Sequence, residues 1–559
     1  MFSIGLDFGT NSVRGVIVNW KKGKVIAEAI SNYPSGLDGI IIDEKNPHLA
    51  RQNPADWLIC LENVVKECIK KARKEKTFSP DKIVGIGIDT TGSTPLPVDK
   101  NLTPLSFLPE FKNNPDAMAF LWKDHTASDE AEEITYKAKK YRPHYLKKVG
   151  GVYSSEWFFS KLLYIARHKR RVFEKMDTFI EASDFIPSVL SGIKKIEDVK
   201  RNICAAGHKA LYHKEWGGLP DEKFLEKLDP LFKGIREKLY EKAYPAGEIG
   251  GYLCKEWAKK LNLCENIPVS VGGIDGHFGT VGAGIDEGIM VKVIGTSSCD
   301  MMISKMKNIP DIPGLCGIFP DSIVPGYYGI EAGQSAVGDI FYWFVKRFLP
   351  QFTENPYEYF TEKVKKMKPG ESGLLCLDWH NGNRTVLVDQ KLTGAILGLT
   401  LNTKPEEVFR CLIEATGFGS RVILERIEEY GVKIEKIIAT GGIPEKNPVV
   451  MQIYSDILKR EIKVSDVGQS SAVGAAIFAA ICGGYFKDVK QAQKKICKFK
   501  KKSYKPKKEN TKIYDEIFAL YKQLHDAFGT KNYRKSLFNV MKKLLEIKNY
   551  SERRRRWKQ

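Results

Sequence analysis

The 559-residue sequence lacks the features of a membrane protein and of a disordered chain. Its longest nearly unbroken apolar stretch, residues 472–485, is 14 residues long and contains three glycines, whereas a membrane-spanning helix needs about 20 apolar residues. No basic flank and apolar segment typical of a signal peptide precede the strand-like residues 3–7. With 43% hydrophobic and 28% charged residues, the composition is that of a globular protein. We therefore expect a cytoplasmic protein of roughly two to four domains.

The sequence also lacks cysteine pairs and zinc motifs. Its 11 cysteines are scattered, with no Cys-x-x-Cys pair and no His-Glu-x-x-His helix. We expect neither a disulfide framework nor a zinc site. Most of the cysteines should be small buried side chains with free thiols.

The positive charge is unevenly distributed. The formal net charge is +20, and 14 of these charges come from two segments: nine lysines without an acid in residues 494–508, and Arg553 to Arg556 with Lys558. The rest of the chain is only mildly basic, as suits an enzyme with anionic substrates. We interpret the lysine run as a solvated linker, because no aromatic interleaving accompanies it. Nucleic-acid binding through this run is the alternative.

Two distant parts of the chain share a strand–turn–strand design. Residues 3–18 predict a β-hairpin with a glycine-containing polar tip, and residues 290–303 repeat it around Gly295 and Thr296. Capping patterns predict helices from residue 126 to about 141, from 155, and from Asn447 to about 458. Further helices are expected at 472–482 and about 514–528. The repeated hairpin indicates a duplicated α/β domain.

The hairpin tips carry the residue types of a polyphosphate site. Asp7 ends a strand and is followed by a glycine turn, which would place a carboxylate for Mg²⁺ beside free backbone N–H groups for phosphate oxygens. An ordinary surface turn is the alternative for one such hairpin alone. Two facing tips could hold the β- and γ-phosphates of a nucleotide, and the chain has no Gly-x-x-x-x-Gly-Lys-Ser/Thr loop that would offer a rival site.

Residues 267–275 predict a strand that runs into a glycine turn and ends at Asp275. Asp275 could act as a general base toward a hydroxyl that attacks phosphorus, or it could simply cap the following helix. Polar groups in segments 122–125, 206–209 and 329–334 would suit a polyol, whose hydroxyls need donors and acceptors. Solvated charges or structural ion pairs are the alternative for each of these segments.

Several long motifs give the chain a family resemblance. Segments 5–14 (GLDFGTNSVR), 85–95 (GIGIDTTGSTP), 121–126 (LWKDHT), 206–209 (AGHK), 329–336 (GIEAGQSA) and 440–442 (TGG) resemble the FGGY carbohydrate kinases over nearly the whole chain. The resemblance implies an α/β fold of two ribonuclease-H-like domains of the actin/Hsp70 type, with the active site in the cleft between them. Within the family the resemblance is to members that use ATP to phosphorylate L-ribulose at its 5-position, in L-arabinose breakdown.

The resemblance also implies roles for individual residues. Asp275 resembles the catalytic base, and Asp7 with Asp275 the metal-binding carboxylates for Mg²⁺. The positions that resemble sugar contacts are Thr94, Trp122, Asp124, Lys209, Asp275 and Glu331. The positions that resemble ATP contacts are Gly9, Thr10, Asn11, Gly295, Thr296, Gly441, Gly442 and Asn447.

The expected organisation is an N-terminal domain of residues 1–280, a C-terminal domain of residues 281–490, and a basic linker, helix and tail in 491–559. The expected partners are a sugar and ATP, without membrane or nucleic acid, and a homodimer is left open. A kinase for D-ribulose or another pentulose or pentitol is an alternative. A non-catalytic ATP-binding protein of the actin/Hsp70 type is another.

Overall fold

The computed structural model describes residues 1–306, 309–349 and 354–556, with side chains up to residue 551. Fourteen strands form two seven-stranded sheets. The first sheet contains β1 (Phe2–Phe8), β2 (Ser12–Asn19), β3 (Lys24–Asn32), β4 (Ile83–Thr90), β5 (Ile249–Tyr252), β6 (Pro268–Ser270) and β7 (Gly273–Ile274). The second contains β8 (Ile289–Ile294), β9 (Ser298–Ser304), β10 (Gly317–Pro320), β11 (Tyr328–Gln334), β12 (Lys436–Thr440), β13 (Glu461–Ser465) and β14 (Phe499–Tyr504).

The strands of the two sheets are arranged in a similar order, which confirms the predicted duplication. The first runs β5-β6-β4-β1-β2-β3, with β7 also paired to β4, and the second runs β10-β11-β9-β8-β12-β13-β14. Each combines an antiparallel meander, two parallel strands and an antiparallel edge strand. The predicted hairpins are the β1–β2 and β8–β9 pairs. The molecule is therefore a mixed α/β protein with two similar halves.

Helices and small ribbons complete the fold. The α-helices α1 to α19 are, in chain order, Pro54–Ala72, Ser128–Tyr141, Pro143–Lys147, Phe158–His168, Arg170–Lys175, Ala182–Leu190, Ile203–Ala210, Glu222–Leu228, Lys255–Leu261, Asp275–Ala283, Gly338–Tyr342, Pro356–Lys366, Pro405–Glu429, Gly442–Lys446, Pro448–Leu458, Ser470–Cys482, Val489–Ile496, Lys508–Gly529 and Val540–Arg556. The ribbon strands are Ile41–Asp43, Asn46–Gln52, Pro95–Val98, Ala119–Phe120, Thr178–Glu181, Arg201–Asn202, Ala243–Tyr244, Leu375–Leu377 and Ala395–Leu397. Within the described residues, no helix is both long and apolar enough to cross a membrane.

Helix α16 is the buried helix that the sequence predicts at 472–482, and it lies directly on the first sheet. A Cβ atom at Gly5, Gly85 or Gly87 would stand within 2.1 Å of a carbonyl oxygen of α16. These strands need glycine because the helix backbone occupies the space of a side chain. Helix α10 packs against α16 equally closely, since a Cβ at Gly282 would meet the Ser470 carbonyl oxygen at 2.0 Å. This helix pair positions Asp275, the first residue of α10.

The prediction that the lysine run is a solvated linker is wrong, because part of the run is a β-strand. Residues 499–504 form β14, which pairs with β13 through Ile462 and Tyr504 and closes one edge of the second sheet. Lysines on an exposed edge strand discourage pairing with another chain, so their charge is compatible with a strand. Helix α18 then packs on the core with Tyr514 and Tyr521 fully buried. The side chains of arginines 553–556, and residue 558, lie outside the described residues.

Candidate active site

Three carboxylates meet at one edge of the first sheet. Asp7 on β1 lies opposite Asp89 on the parallel strand β4, and Gly273 of β7 pairs with Asp89 from the other side. Asp275 follows β7 directly. Ligands bind beyond the carboxyl ends of strands in such sheets, and these three residues lie at those ends. Asp7 and Asp89 are buried, whereas Asp275 is partly exposed.

Burial raises the pKa of all three carboxylates, and the charge of a neighbouring carboxylate adds to this effect at Asp89 and Asp275. Burial, followed by the charge of Asp7, raises the pKa of Asp275 to about 7. Burial and the charges of Asp7 and Asp275 raise the pKa of Asp89 well above its usual range. Burial also raises the pKa of Asp7, against the opposing effect of Arg14, whose Nη1 lies 3.3 Å from Asp7 Oδ2. The cluster is thus short of positive charge.

This shortage fits a divalent cation. In the described part of the chain, apart from a hydrogen bond between the Asp7 and Asp89 carboxyls themselves, no donor group meets Asp7 Oδ1 or either carboxylate oxygen of Asp89, although these atoms are buried. Buried, unpaired carboxylate oxygens are costly, and Mg²⁺ binds through one or two carboxylates with waters in its remaining positions. The sequence analysis predicts Asp7 and Asp275 for this role and misses Asp89. The sequence does contain the pattern that marks Asp89, because this residue lies at the end of a strand just as Asp7 does.

The tip of the first hairpin is held in place by its neighbours. The Gly9 amide donates to the Ser12 carbonyl at 3.0 Å, and Gln52 Nε2 donates to the Thr10 carbonyl at 2.8 Å. Trp122 Nε1 donates to Thr10 Oγ1 at 3.1 Å, so the tryptophan joins the segment predicted to contact sugar to the hairpin predicted to contact phosphate. Asn11 is exposed, and its Nδ2 donates to the Asp38 carbonyl at 2.6 Å.

The tip of the second hairpin is tied to the start of helix α11. The amides of Val337 and Gly338 donate to the carbonyls of Thr296 and Gly295 at 2.8 and 3.0 Å. The Thr296 side chain is exposed. Each half of the molecule therefore presents one fixed polar tip, as the sequence predicts.

The residues predicted to contact adenosine are only partly accessible to a ligand. Gly441 has φ +103°, and a Cβ there would stand 2.6 Å from the Ile294 carbonyl oxygen, whereas a Cβ at Gly442 would meet nothing within 4 Å. Asn447 caps helix α15 by accepting from the amides of Val449 and Val450, each at 3.1 Å. The side-chain carbonyl of Asn447 is thus already hydrogen-bonded. Of the three predicted adenosine positions, Gly442 is the most accessible.

An ion pair links the two halves on the sugar side. Lys209 of α7 places Nζ 3.3 Å from both carboxylate oxygens of Glu331, which lies on β11. His277 Nε2 lies 3.3 Å and His208 Nδ1 3.1 Å from Glu331 Oε2. Burial alone would lower the pKa of Lys209, but Glu331 raises it, and Lys209 in turn lowers the pKa of Glu331 despite its burial.

The two histidines and Glu331 are spaced closely enough to hold a metal ion. The Lys209 ammonium already neutralises the carboxylate, and Cys204 Sγ lies 2.7 Å from His277 Nδ1. A cation would have to compete with the buried lysine, so the set acts better as a hydrogen-bonded network that holds Glu331.

Two predicted sugar contacts are already engaged in structural hydrogen bonds. Asp124 is fully buried; its Oδ2 accepts from Arg51 and from the Ala50 amide at 2.7 Å, and its Oδ1 accepts from the Thr126 amide at 3.1 Å. Direct sugar binding by Asp124 does not fit this arrangement, which makes the residue an anchor for the Trp122 segment. Thr94 is also buried, with Oγ1 2.8 Å from Thr91 Oγ1.

A buried lysine that the sequence analysis misses holds both of these segments. Lys161 Nζ donates to the carbonyls of Ser93 at 2.8 Å and Leu121 at 3.0 Å. Glu181 accepts from the Thr94 amide at 2.8 Å. Burial lowers the pKa of Lys161 to about 7 and raises that of Glu181 to about 7. No local motif marks Lys161, because its partners are backbone carbonyls distant in the chain.

Comparisons with known proteins identify the family of the chain. Residues 2–282 match the N-terminal domain and residues 290–482 the C-terminal domain of the FGGY family of carbohydrate kinases. The chain is 40% identical to a ribulokinase of Bacillus licheniformis, with 96% of this chain and 98% of that protein covered. It is 36% identical to a ribulokinase of Staphylococcus aureus (strain Newman), with 98% and 99% covered.

Solved structures share the fold. The xylulose kinase from Rhodospirillum rubrum superposes with a TM-score of 0.77 at 22% identity, covering 94% of this chain and 100% of that one. The Plasmodium falciparum glycerol kinase with ADP gives a TM-score of 0.75 at 18% identity, covering 94% and 97%. Both are two-domain mixed α/β proteins of the kind found here.

Proposed function

The chain belongs to the FGGY family of carbohydrate kinases, and we propose that it transfers the γ-phosphoryl group of ATP to the 5-hydroxyl of L-ribulose. The observation that carries the proposal is the buried Lys209–Glu331 pair, which joins the two halves and contacts His277, two residues after Asp275. The substrate is inferred from relatives named ribulokinase at 36–40% identity over nearly the full length.

In the proposed reaction Asp275 is the general base. Its carboxylate accepts the proton of the sugar hydroxyl as that oxygen forms a bond to the γ-phosphorus and the bond from phosphorus to the β,γ-bridging oxygen breaks. General-base assistance of this kind contributes about 10²–10⁴-fold. The raised pKa of Asp275, about 7, suits proton transfer near neutral pH. One carboxylate oxygen accepts from the Gly276 amide at 2.6 Å, which orients the group.

The phosphate chain of ATP would lie between the tips at residues 9–11 and 295–296. Asp7, Asp89 and Asp275 would hold Mg²⁺, which neutralises charge on the phosphates when it is bound. Arg14 contacts Asp7 through Nη1, and its side chain is otherwise half-exposed. Its remaining guanidinium nitrogens could donate hydrogen bonds to a phosphate oxygen. Gly441 and Gly442 would line the adenosine. Most of the catalytic effect then comes from positioning.

The test is ADP release with Mg·ATP and a panel of acceptors: L-ribulose, D-ribulose, L-xylulose, D-xylulose, ribitol, glycerol and a blank without sugar. We expect strong release with L-ribulose over a quiet blank, and a large loss of turnover with retained ATP binding in Asp275→Asn. A preference for D-ribulose or ribitol would replace the proposed substrate. Equal release in every well would favour an uncoupled ATP-binding protein of the actin/Hsp70 type.

We also place the reaction in the cytoplasm, where ATP is available, and leave a homodimer to a measurement of solution mass. Fractionation of the source cells, with the activity found in the soluble fraction, would support that location.

A further inference from the structure

Arg384 is a half-buried guanidinium in the second half of the molecule with few protein partners. Its Nη2 donates to the Ser298 carbonyl at 2.8 Å and lies 3.7 Å from Cys299 Sγ. Its Nε is buried without a hydrogen-bond partner, and no described carboxylate lies within 4.0 Å of the group. An arginine is always charged, and against the effect of burial the charges of Glu331 and Glu156 raise the pKa of Arg384 from a distance without forming an ion pair with it. The guanidinium thus keeps unpaired donors that an anion could accept from.

Strand register places this guanidinium on the face of the second sheet that looks toward the catalytic carboxylate. In the antiparallel β9–β11 pair, Cys299 lies opposite Gly333 and Met301 opposite Glu331. Opposed residues, and residues two apart, share a face of a sheet. Met301 Cε would stand 3.5 Å from a Cβ at Gly276, the residue after Asp275. The face of Glu331 and position 333 therefore borders the start of helix α10.

Gly333 makes room for Arg384 on that face. A Cβ at Gly333 would stand 2.3 Å from Arg384 Nη2 and 2.1 Å from the Ser298 carbonyl oxygen. Thr385 fixes the same loop, because its Oγ1 accepts from the Gly333 amide at 2.9 Å. Arg384 consequently lies next to the second phosphate tip, whose strand begins at Ser298, and two residues along β11 from Glu331.

This position corresponds to the place where the nucleotide side and the sugar side of the site meet. We propose that Arg384 is a catalytic residue that binds the phosphoryl group during its transfer, an inference that rests on the proposed kinase function. The planar guanidinium can donate two parallel hydrogen bonds to phosphate oxygens, which a lysine cannot do. Charge on those oxygens is stabilised most strongly in a site that excludes water.

The test compares Arg384→Met, which removes the charge at similar length, with Arg384→Lys, which keeps the charge without the fork. The matched control is Arg426→Met on helix α13, a partly exposed arginine whose polar contacts within the described residues are to the Pro313 carbonyl and Glu429. For each protein kcat, the sugar KM, the melting temperature, and the affinities for Mg·ADP alone and with fluoroaluminate are measured. Fluoroaluminate bound beside ADP imitates the phosphoryl group in transfer.

We expect Arg384→Met to lower kcat by about 10²-fold or more, as does loss of one preorganised donor elsewhere. The affinity for Mg·ADP alone should stay within about twofold of the unsubstituted protein, whereas the tighter binding with fluoroaluminate should be lost. Arg384→Lys should recover only part of kcat. Arg426→Met should behave as the unsubstituted protein in every measurement.

Three results would overturn the assignment. These are unchanged tightening by fluoroaluminate in Arg384→Met, a raised sugar KM at unchanged kcat, and a parallel loss of ADP affinity and melting temperature. The second would make Arg384 a sugar contact, and the third a structural residue. Failure of the unsubstituted protein to respond to any sugar would instead refute the kinase proposal, and the fluoroaluminate comparison would still decide the role of Arg384.

Discussion

Asp275 is placed so that its own protonation controls the proposed reaction. Burial beside Asp7 raises its pKa to about 7 from the model-compound value of 3.8. A protonated carboxyl cannot accept the hydroxyl proton, so activity should rise with pH and level off above the pKa of Asp275 in the Mg²⁺-loaded protein, which the cation lowers. In Mg²⁺-free protein we expect two carboxyls, those of Asp275 and Glu181, to titrate near pH 7 in carbon-13 NMR spectra, and one of the two to be missing in Asp275→Asn. A midpoint near 4 for Asp275 would show that the neighbouring carboxylate has no such influence.

Lys161 provides a residue-scale prediction about a group far from the reacting atoms. Lys161→Met should raise the sugar KM more than it lowers kcat, because it releases the Ser93 and Leu121 carbonyls that shape the sugar side. Uncompensated carbonyls should also lower the melting temperature, by an amount that reflects about 1–3 kcal/mol per lost partner. The affinity for Mg·ADP is the internal control. An ADP affinity that falls together with sugar affinity would contradict a local positioning role.

The limits of sequence-based prediction are visible at individual residues. Asp7, Asp275 and the glycine tips follow strands directly, so local pattern predicts them. Asp89 requires the β1–β4 register, Lys161 requires contacts across the fold, and Arg384 requires the close approach of its loop to Gly333. Asp124 shows the reverse, because its motif predicts a ligand whereas burial against Arg51 makes it an anchor.

At the scale of elements, helix α16 packs closely on the first sheet because the glycines of the sheet beneath it have no side chains. Gly87→Ala would place a Cβ 2.0 Å from the Ala475 carbonyl oxygen, and the helix would have to move. We expect a loss of about 1–3 kcal/mol in the free energy of unfolding, typical of overpacking, together with reduced turnover because α16 supports α10. Gly468→Ala is the control, since a Cβ there meets nothing within 4 Å. Equal melting temperatures for the two variants would refute this close packing.

The lysine-rich edge strand β14 gives a second prediction at this scale. Lys501 in β14, and Lys498 and Lys505 on either side of it, are exposed, and replacing all three by glutamine should leave kcat and sugar KM unchanged because the strand pairs through its backbone. Salt-dependent RNA binding that the substitution abolishes would support the nucleic-acid alternative. Sequence alone misreads this run, since charge favours a linker while the pairing partner β13 lies in another part of the chain.

The duplicated architecture itself was predictable, because two hairpins with similar tips recur about 290 residues apart. How the halves meet was not, since no local pattern indicates that Lys209 of one half contacts Glu331 of the other. That contact joins the site across the cleft. Under the proposed function, sugar binding and closure of the two halves would involve the same buried charges.

The whole-molecule prediction concerns this pair. Lys209→Met or Glu331→Gln alone leaves one buried group without its partner, which costs about 3–5 kcal/mol in known cases, whereas the double variant leaves no unpaired charge between these two residues. We expect each single variant to melt lower than the double variant, and all three to raise the sugar KM. Mg·ADP binding should persist, because the nucleotide tips are elsewhere.

Melting curves and calorimetric binding of Mg·ADP measure these effects. The matched control is Lys214→Met, because Lys214 also pairs with an acid of the other half, Asp321 at 3.6 Å, but lies on the surface. Additive losses of stability in the double variant would mean that Lys209 and Glu331 do not depend on each other. The pair would then not couple the two halves, and sugar-dependent closure would have to depend on their other contacts, such as the packing of helices α10 and α16.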